Sequence, residues 1–268
     1  MLGFFERVIG VINSERLLAV TYDSGGKRKP TIVLIHGIAS TSRTWGPVIK
    51  RIDKEKYRVV AMDLLGFGSS PRPAVSLFTV NDHIRYIRRT LKSLGIKKFK
   101  LVGHSMGAII AAKYSRLYPK EVIECYLLSL PLYNIDLPMN LIIKKKTDFF
   151  MSAYDFMMKN KDFTINNSQF LRKLLKIDDG IDVNQGNWES FRLSLQNTII
   201  GQDTFADLRA IHAPINILYG SLDEFLIPEI INQAASIEGV SITKVNGADH
   251  AIGEKYAIEI ASLLNGDK

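Results

Sequence analysis

Cysteine is almost absent from the sequence, which contains Cys125 alone among 268 residues. A single cysteine excludes an internal disulfide and fits a reducing compartment. Because Cys125 lies within the apolar run 122–130, we expect it to be a small buried hydrophobic residue.

Long apolar runs are also lacking, since none approaches the roughly 18 residues needed to span a bilayer. Residues 1–10 include Glu6 and Arg7, and they lack the basic start, apolar stretch and small-residue cleavage site of a signal peptide. The sequence therefore predicts a soluble, cytoplasmic protein without stable membrane insertion.

Metal and phosphate motifs are missing as well. The sequence contains no His-x-x-x-His pair, no paired cysteines, no Glu-rich helix face and no G-x-x-x-x-G-K loop. We expect neither a metal nor a cofactor.

Basic residues exceed acidic ones by eight, but they form no continuous basic stripe. They occur in short groups, such as 27–29 and 50–51, without interleaved aromatic residues that would stack on bases. We expect no nucleic-acid partner, and only a weak attraction to anionic surfaces or acidic substrates remains open.

Short apolar runs dominate the first half of the chain and return near residue 215. They are β-rich and do not alternate cleanly, as is typical of strands covered on both faces of a parallel sheet: 31–35, 57–62, 99–102, 123–129 and 215–219. Helical patterns separate them at 80–94 and at 106–118, which ends before Pro119. The alternation predicts an α/β fold with a mostly parallel, doubly wound sheet. Segments 8–12 and 17–22 are expected to form an antiparallel leading pair.

Residues 131–204 interrupt this alternation with a helical, irregular pattern. The segment holds nine basic and nine acidic residues, nine aromatic residues and four methionines. Two interpretations fit this composition: a lid with an apolar underside, or a small helical bundle that buries its own core. We predict a core formed by 1–130 and 205–268, with 131–204 as a helical cap.

The sequence 103–107, Gly-His-Ser-Met-Gly, matches the pattern G-x-S-x-G. It follows a predicted buried strand and begins a predicted helix, which is the context of a nucleophile elbow. At such a turn the serine hydroxyl is exposed, and the helix N-terminus offers amides to developing negative charge. Ser105 is therefore the predicted nucleophile.

Two further motifs accompany the elbow. His36-Gly37 follows the first predicted buried strand, and the segment 63–70 matches Asp-x-x-Gly-x-Gly-x-Ser. With these motifs the chain resembles the α/β-hydrolase superfamily over nearly its whole length. It is most similar to the lid-containing esterase and carbon–carbon hydrolase branches, and the resemblance implies a helical cap inserted after the strand near 123–129.

The resemblance implies that the acid and then the histidine follow the nucleophile in the chain. Of the five histidines, only His250 follows a late strand-like run, and it lies on a short loop before a final helix. Asp223 comes directly after the predicted strand 215–219, where the family has its acid. The proline that follows, Pro228, stands five positions later instead of the usual four, so Glu224 remains an alternative. Asp249 is too close to His250 in sequence to reach its distal ring nitrogen.

The oxyanion hole of such enzymes consists of two main-chain amides. The resemblance places them at Ile38 and Met106, although Ile38 could instead only form part of the pocket wall. Asp63 is expected to be a structural residue that caps a turn.

The leading functional hypothesis is a carboxylesterase-like serine hydrolase that acts on esters of small to medium uncharged acyl groups. A carbon–carbon hydrolase is an alternative, although Ala251 stands where those relatives usually have tryptophan after the histidine. A hydroxynitrile lyase, an acyl transferase and a non-catalytic receptor that retains the triad are others. Dehalogenases and epoxide hydrolases need an aspartate at the position of Ser105, so they are excluded. The expected partner is a small-molecule ester, and the oligomeric state is left open.

Overall fold

The computed structural model describes residues 16–133, 141–168 and 183–267. Within them one sheet of seven strands has the order β1-β3-β2-β4-β5-β6-β7, and all neighbours are parallel except β1 and β3. The strands are β1 (Val20–Asp23), β2 (Thr31–Ile35), β3 (Arg58–Met62), β4 (Phe99–His104), β5 (Val122–Leu128), β6 (Ile215–Gly220) and β7 (Val240–Val245).

Helices occupy most of the connections between these strands. The described α-helices are α1 (Gly46–Ile49), α2 (Val80–Ser93), α3 (Met106–Leu117), α4 (Leu141–Lys159), α5 (Lys161–Asn166), α6 (Trp188–Ser194), α7 (Thr204–Arg209), α8 (Pro228–Gln233) and α9 (Glu254–Asn265). Short 3₁₀ turns at Ser42–Trp45 and Ala234–Ser236 and a π-helical turn at Leu195–Ile200 complete the set.

The core lies on both faces of the sheet. Successive residues of β2 belong to opposite layers: Val33 and Ile35 pack in the layer that includes α2 and α3, while Ile32 and Leu34 pack in the layer that includes α9. Every residue of β2 and β3 is buried. This two-sided burial explains why these strands are apolar without alternation.

The structure confirms the predicted fold class and the five strands, whose ends shift by one or two residues at most. Of the antiparallel leading pair the structure describes only β1, which pairs antiparallel with β3 on one side. Its expected partner, 8–12, lies outside the described residues. Cys125 is buried in β5 as expected, and burial raises the pKa of its thiol to about 12.

The described parts of 131–204 are mostly helical, with α4, α5 and α6 all between β5 and β6. The boundaries of a cap domain stay a prediction. Among the residues that the structure describes, no helix is long and apolar enough to cross a membrane.

Candidate active site

Ser105 occupies the sharp turn between β4 and α3. Its φ of 53° and ψ of −119° lie where residues other than glycine are rarely found, a conformation that costs about 1–3 kcal/mol. The Ser105 amide donates a hydrogen bond of 2.9 Å to the carbonyl of Leu128 on the neighbouring strand. This strained backbone is the expected geometry of a nucleophile elbow.

The two glycines of the elbow allow the helix to pass very close to the sheet. A Cβ at Gly107 would lie 2.5 Å from the carbonyl oxygens of Ile35 and His36, and a Cβ at Gly103 would collide with the backbone of Gly107. Since these contacts are with backbone atoms, they cannot relax by a rotamer change. The G-x-S-x-G pattern is thus required by close packing at both glycines.

Asp223 and His250 form a buried pair at the carboxyl edge of the sheet. Asp223 follows β6 and His250 follows the adjacent strand β7. Both carboxylate oxygens of Asp223 lie 3.0 Å from His250 Nδ1. Asp223 therefore accepts a hydrogen bond from Nδ1–H, which leaves Nε2 as the basic nitrogen of the neutral ring.

The loops that carry this pair are bound to each other. Ser221 N donates to Val245 O, Leu222 N to Ala248 O, and Gly247 N to the Ser221 hydroxyl, at 2.8 to 3.0 Å. Three hydrogen bonds thus fix the position of the acid relative to the base.

The environment of Asp223 favours its charged form. Burial pushes the pKa of Asp223 upward, but the neighbouring His250 and hydrogen bonds from His250, Ser129 and the Phe225 amide outweigh it and lower the pKa below 3.8. The Ser129 hydroxyl is itself 2.8 Å from the Tyr256 hydroxyl. A carboxylate at position 223 is consequently ionised at neutral pH.

Ser105 and His250 line the same cavity, which has a volume of about 700 Å³. Neither the Ser105 hydroxyl nor His250 Nε2 has a hydrogen-bond partner among the described residues, so the two do not bond to each other in this structure. Catalytic hydrogen bonds are often long until a substrate is bound. Both groups are available to a molecule in the cavity.

His36 orients the amide expected at one side of an oxyanion hole. Its Nε2 accepts from Leu64 N at 2.8 Å, so its Nδ1 carries the proton and donates to Gly37 O at 2.7 Å. Burial lowers the pKa of His36 to about 4, so the ring stays neutral. Gly37 O and the Ile38 N–H belong to one planar peptide, and fixing the carbonyl fixes the direction of the N–H.

The two residues predicted to supply oxyanion-hole amides lie at the cavity wall and at the elbow. Ile38 lines the cavity together with Ser105, and Met106 is the first residue of α3. Amides in the first turn of a helix lack an intrahelical acceptor. The arrangement is compatible with the predicted pair of donors.

His104 has a role that the sequence did not indicate. The G-x-S-x-G motif indicates only that His104 stands at the turn, whereas in the structure its Nε2 donates to the main-chain oxygen of His250 at 2.8 Å. Burial, followed by the neighbouring His250, lowers the pKa of His104 to about 3, so the donor ring is neutral. No sequence signal could have revealed this contact, because it joins the last residue of β4 to a loop 146 positions later.

A tyrosine pair joins α4 to the acid loop across the cavity wall. The Tyr133 hydroxyl donates to Phe225 O at 2.9 Å, so its 3.0 Å contact with Tyr154 must use the Tyr154 proton. The ring centroids of Phe225 and His250 lie 4.8 Å apart. The position of α4 is therefore linked to the surroundings of the acid and the base.

The other candidates lie apart from this pair or have structural partners. Glu224 is exposed, and Asp249 accepts locally from the amide of Ala251. Asp63 is buried and accepts from the amide and hydroxyl of Ser42 and from the amide of Ser69, as expected for a turn cap. Within the described ranges, no group of histidine, cysteine and acidic residues could hold a metal ion.

Comparison with known proteins places the chain in a family. The model of the family described as "alpha/beta hydrolase fold" matches residues 30–240. A probable lysophospholipase of Arabidopsis thaliana, BODYGUARD 1, is 34% identical over 128 residues, which are 46% of this chain and 27% of that protein. The chain thus spans less than a third of that relative's length.

Solved structures are similar over nearly the whole chain. A membrane phospholipase A described as a bacterial virulence factor has a TM-score of 0.71 and 19% identity, covering 99% of this chain and 91% of the other. A structure from work on carboxylesterases of the thaumarchaeon Nitrososphaera gargenis has a TM-score of 0.68 and 21% identity, covering 92% of each chain. These likenesses show the fold. With the family match over 211 residues and this sheet order, the chain belongs to the α/β-hydrolase fold family.

Proposed function

We propose that this chain is a serine hydrolase that cleaves carboxylic esters of small to medium uncharged acyl groups through an acyl-enzyme. The observation that carries the proposal is that the Asp223–His250 pair and the strained elbow residue Ser105 meet at one cavity. The names of relatives and neighbours, which include a probable lysophospholipase and carboxylesterases, agree with ester cleavage.

Acylation begins with Ser105. Its hydroxyl oxygen attacks the ester carbonyl while His250 Nε2 takes the hydroxyl proton. Asp223 accepts the hydrogen bond from His250 Nδ1–H and stabilises the imidazolium that forms. The negative charge on the carbonyl oxygen is stabilised by the amides of Ile38 and Met106.

The remaining steps return the enzyme to its starting state. His250 gives its proton to the leaving alkoxide, and the bond between the acyl carbon and the alcohol oxygen breaks, so that the alcohol leaves and the acyl group stays on Ser105. Water then enters, gives a proton to His250 Nε2 and attacks the acyl carbonyl. The acid is released, and the proton returns to Ser105.

The cavity wall supports an apolar acyl group. A volume of about 700 Å³ is within the range of small-molecule pockets. Apolar side chains from the segment between β5 and β6 form one part of its wall: Met157, Val183, Phe191, Leu195 and Ile199. Each acyl methylene buried there contributes roughly 0.8 kcal/mol until the space is filled.

We propose that 131–204 acts as the cap that sets the acyl preference. Phe191, Leu195 and Ile199 belong to the same apolar cluster as residues of α3, instead of a separate core. This packing supports the interpretation as a cap and argues against a helical bundle that buries its own core. A cytoplasmic location and a small-molecule ester as the partner remain parts of the proposal.

A series of p-nitrophenyl esters from acetate to palmitate tests the proposal. We expect kcat/KM to rise with acyl length, pass through a maximum and fall, and we expect Ser105→Ala to lower turnover by several orders of magnitude. The carbon–carbon hydrolase would leave the esters intact but cleave a vinylogous diketone. A receptor would bind without turnover of either class.

A further inference from the structure

Three phenylalanines are exposed among the described residues, and all three lie on the consecutive helices α4 and α5. Phe149 is 68% exposed, Phe156 49% and Phe163 47%. Phe149 and Phe156 are seven positions apart, which places them on one face of α4. The rings of Phe156 and Phe163 pack edge to face with centroids 5.3 Å apart. With Leu141, which is 77% exposed, these residues form what we call the outer stripe.

The opposite face of α4 is also apolar. Ile143 and Tyr154 are buried, and Tyr154 and Met157 line the cavity. A helix that faces a core on one side normally carries polar residues on the other. Contiguous apolar residues on an outward face mark an interaction site.

Lysines surround the outer stripe. Lys144, Lys145, Lys146, Lys159 and Lys161 are all exposed on α4 and α5, against three aspartates. Lys144 pairs with Asp148 and Lys159 with Asp155, both at 2.8 Å. The excess of positive charge is carried next to Leu141 and Phe149, since Lys145 lies four positions from each.

Exposed aromatic residues among lysines are suited to the surface of an anionic lipid bilayer. Phenylalanine enters the boundary between headgroups and acyl chains, while lysines extend to anionic headgroups. A second copy of this chain would bring two sets of lysines together, which disfavours self-association. We propose that the outer stripe docks on the surface of a bilayer that contains anionic phospholipid.

This docking is peripheral and goes beyond the proposed hydrolysis. The outer stripe would contact the bilayer, while the inner face of the same helix lines the cavity. An amphiphilic ester leaving the bilayer would then have a short path to Ser105. The docking itself needs none of the residues proposed to be catalytic.

Co-sedimentation with unilamellar vesicles tests the proposal. The vesicles contain either phosphatidylcholine alone or an equimolar mixture with phosphatidylglycerol. We expect the full chain to bind the mixed vesicles and to dissociate as salt is raised. The double variant Phe149→Ser/Phe156→Ser should lower the partition coefficient at least tenfold, because it removes two aromatic rings that enter the boundary between headgroups and acyl chains. Lys145→Glu/Lys146→Glu should also lower it at least tenfold, because each lysine near an anionic surface is worth about fivefold.

Matched variants elsewhere on the surface serve as controls. Ile123→Ser/Ile258→Ser removes two exposed apolar side chains, and Lys27→Glu/Arg28→Glu reverses two exposed charges. Both controls should bind vesicles like the original chain. Turnover of a short water-soluble ester should be equal in all variants, so a failure of docking is distinguished from a failure of the proposed hydrolysis.

Three results would overturn the proposal. One is equal binding to both kinds of vesicle, or to neither. Another is an equal loss in a control variant, which would indicate unspecific attraction. The third is a dimer in sedimentation velocity that Phe149→Ser/Phe156→Ser dissociates, which would assign the outer stripe to self-association.

Discussion

His104 Nε2 donates a hydrogen bond of 2.8 Å to the main-chain oxygen of His250. The bond joins the residue before the candidate nucleophile to the loop of the candidate base. Because His104 is neutral and buried, the bond persists over a wide range of pH. The bond fixes the distance between the elbow and the imidazole of His250. It involves neither the Ser105 hydroxyl oxygen nor His250 Nε2.

His104→Leu should therefore lower kcat for a p-nitrophenyl ester roughly tenfold to a hundredfold with little change in KM, because a base displaced by about 1 Å loses about that much rate. His104→Gln, which keeps a side-chain donor, should recover much of the loss. Steady-state kinetics on the three proteins provide the measurement. Equal kcat in His104→Leu and the original chain would show that the bond does not position the base.

The identity of the acid can be tested by a pair of neighbouring substitutions. Asp223→Asn should lower kcat roughly 10⁴-fold at neutral pH, as in serine-protease triads, because the amide favours the wrong tautomer of His250. Glu224→Gln should leave kcat within about twofold, since Glu224 is exposed and Asp223 is the carboxylate that bonds to His250 Nδ1. The reverse pattern would assign the acid to Glu224.

Three buried histidines should make the fold sensitive to acid. The pKa of His36 is lowered to about 4, and those of His83 and His104 to about 3, in each case mainly by burial. Below the ordinary value of 6.5 the unfolded chain binds protons that the folded chain does not, so the free energy of unfolding falls as the pH falls. Each histidine contributes a slope of up to about 1.4 kcal/mol per pH unit between pH 6 and the folded pKa.

Urea unfolding between about pH 7 and pH 5 measures this slope. His83→Leu should reduce the slope by about the contribution of one histidine, because the His83 ring is buried and its Nδ1 lacks a partner among the described residues. His212→Gln is the control, since His212 is exposed. A slope that is the same in His83→Leu and the original chain would contradict the assignment. Asp223 lowers the free energy of unfolding further only below about pH 4. Its pKa is lower in the folded chain than in the unfolded chain, so the unfolded chain binds a proton first as the pH falls.

The elbow should not tolerate a larger residue at position 107. Gly107→Ala places a methyl group 2.5 Å from the carbonyl oxygens of Ile35 and His36, and we expect it to cost about 2 kcal/mol or more of unfolding free energy. Gly46→Ala is the matched control, because a Cβ there meets nothing within 4 Å in α1. The midpoints of urea unfolding compare the two. Equal stability would mean that the close packing of α3 on β2 is not required.

Much of the site could be predicted because its parts are local. Ser105 stands in a five-residue motif, and Asp223 and His250 each follow a strand whose apolar run is visible in the sequence. The sheet was predicted for the same reason, since β2 and β3 are buried on both faces. What brings the three residues together is the parallel direction of β4, β6 and β7, whose ends share one edge.

Contacts between distant segments could not be predicted. β1 has only four residues with an alternating, half-buried pattern, which specifies a strand but not β3 as its partner. The hydrogen bonds from His104 to His250 and from Tyr133 to Phe225 depend on loop positions set by the whole fold. The tautomer of His36 follows from the Leu64 amide, 28 positions away.

The central claim is that Ser105 forms an acyl-enzyme during ester cleavage. Its most direct test is mass spectrometry of the protein quenched in acid shortly after mixing with excess p-nitrophenyl butyrate. We expect the peptide that contains Ser105 to gain the mass of one butyryl group, and Ser105→Ala to show no such adduct and a rate lower by several orders of magnitude. Sustained turnover by Ser105→Ala, or an adduct on another residue, would contradict the account.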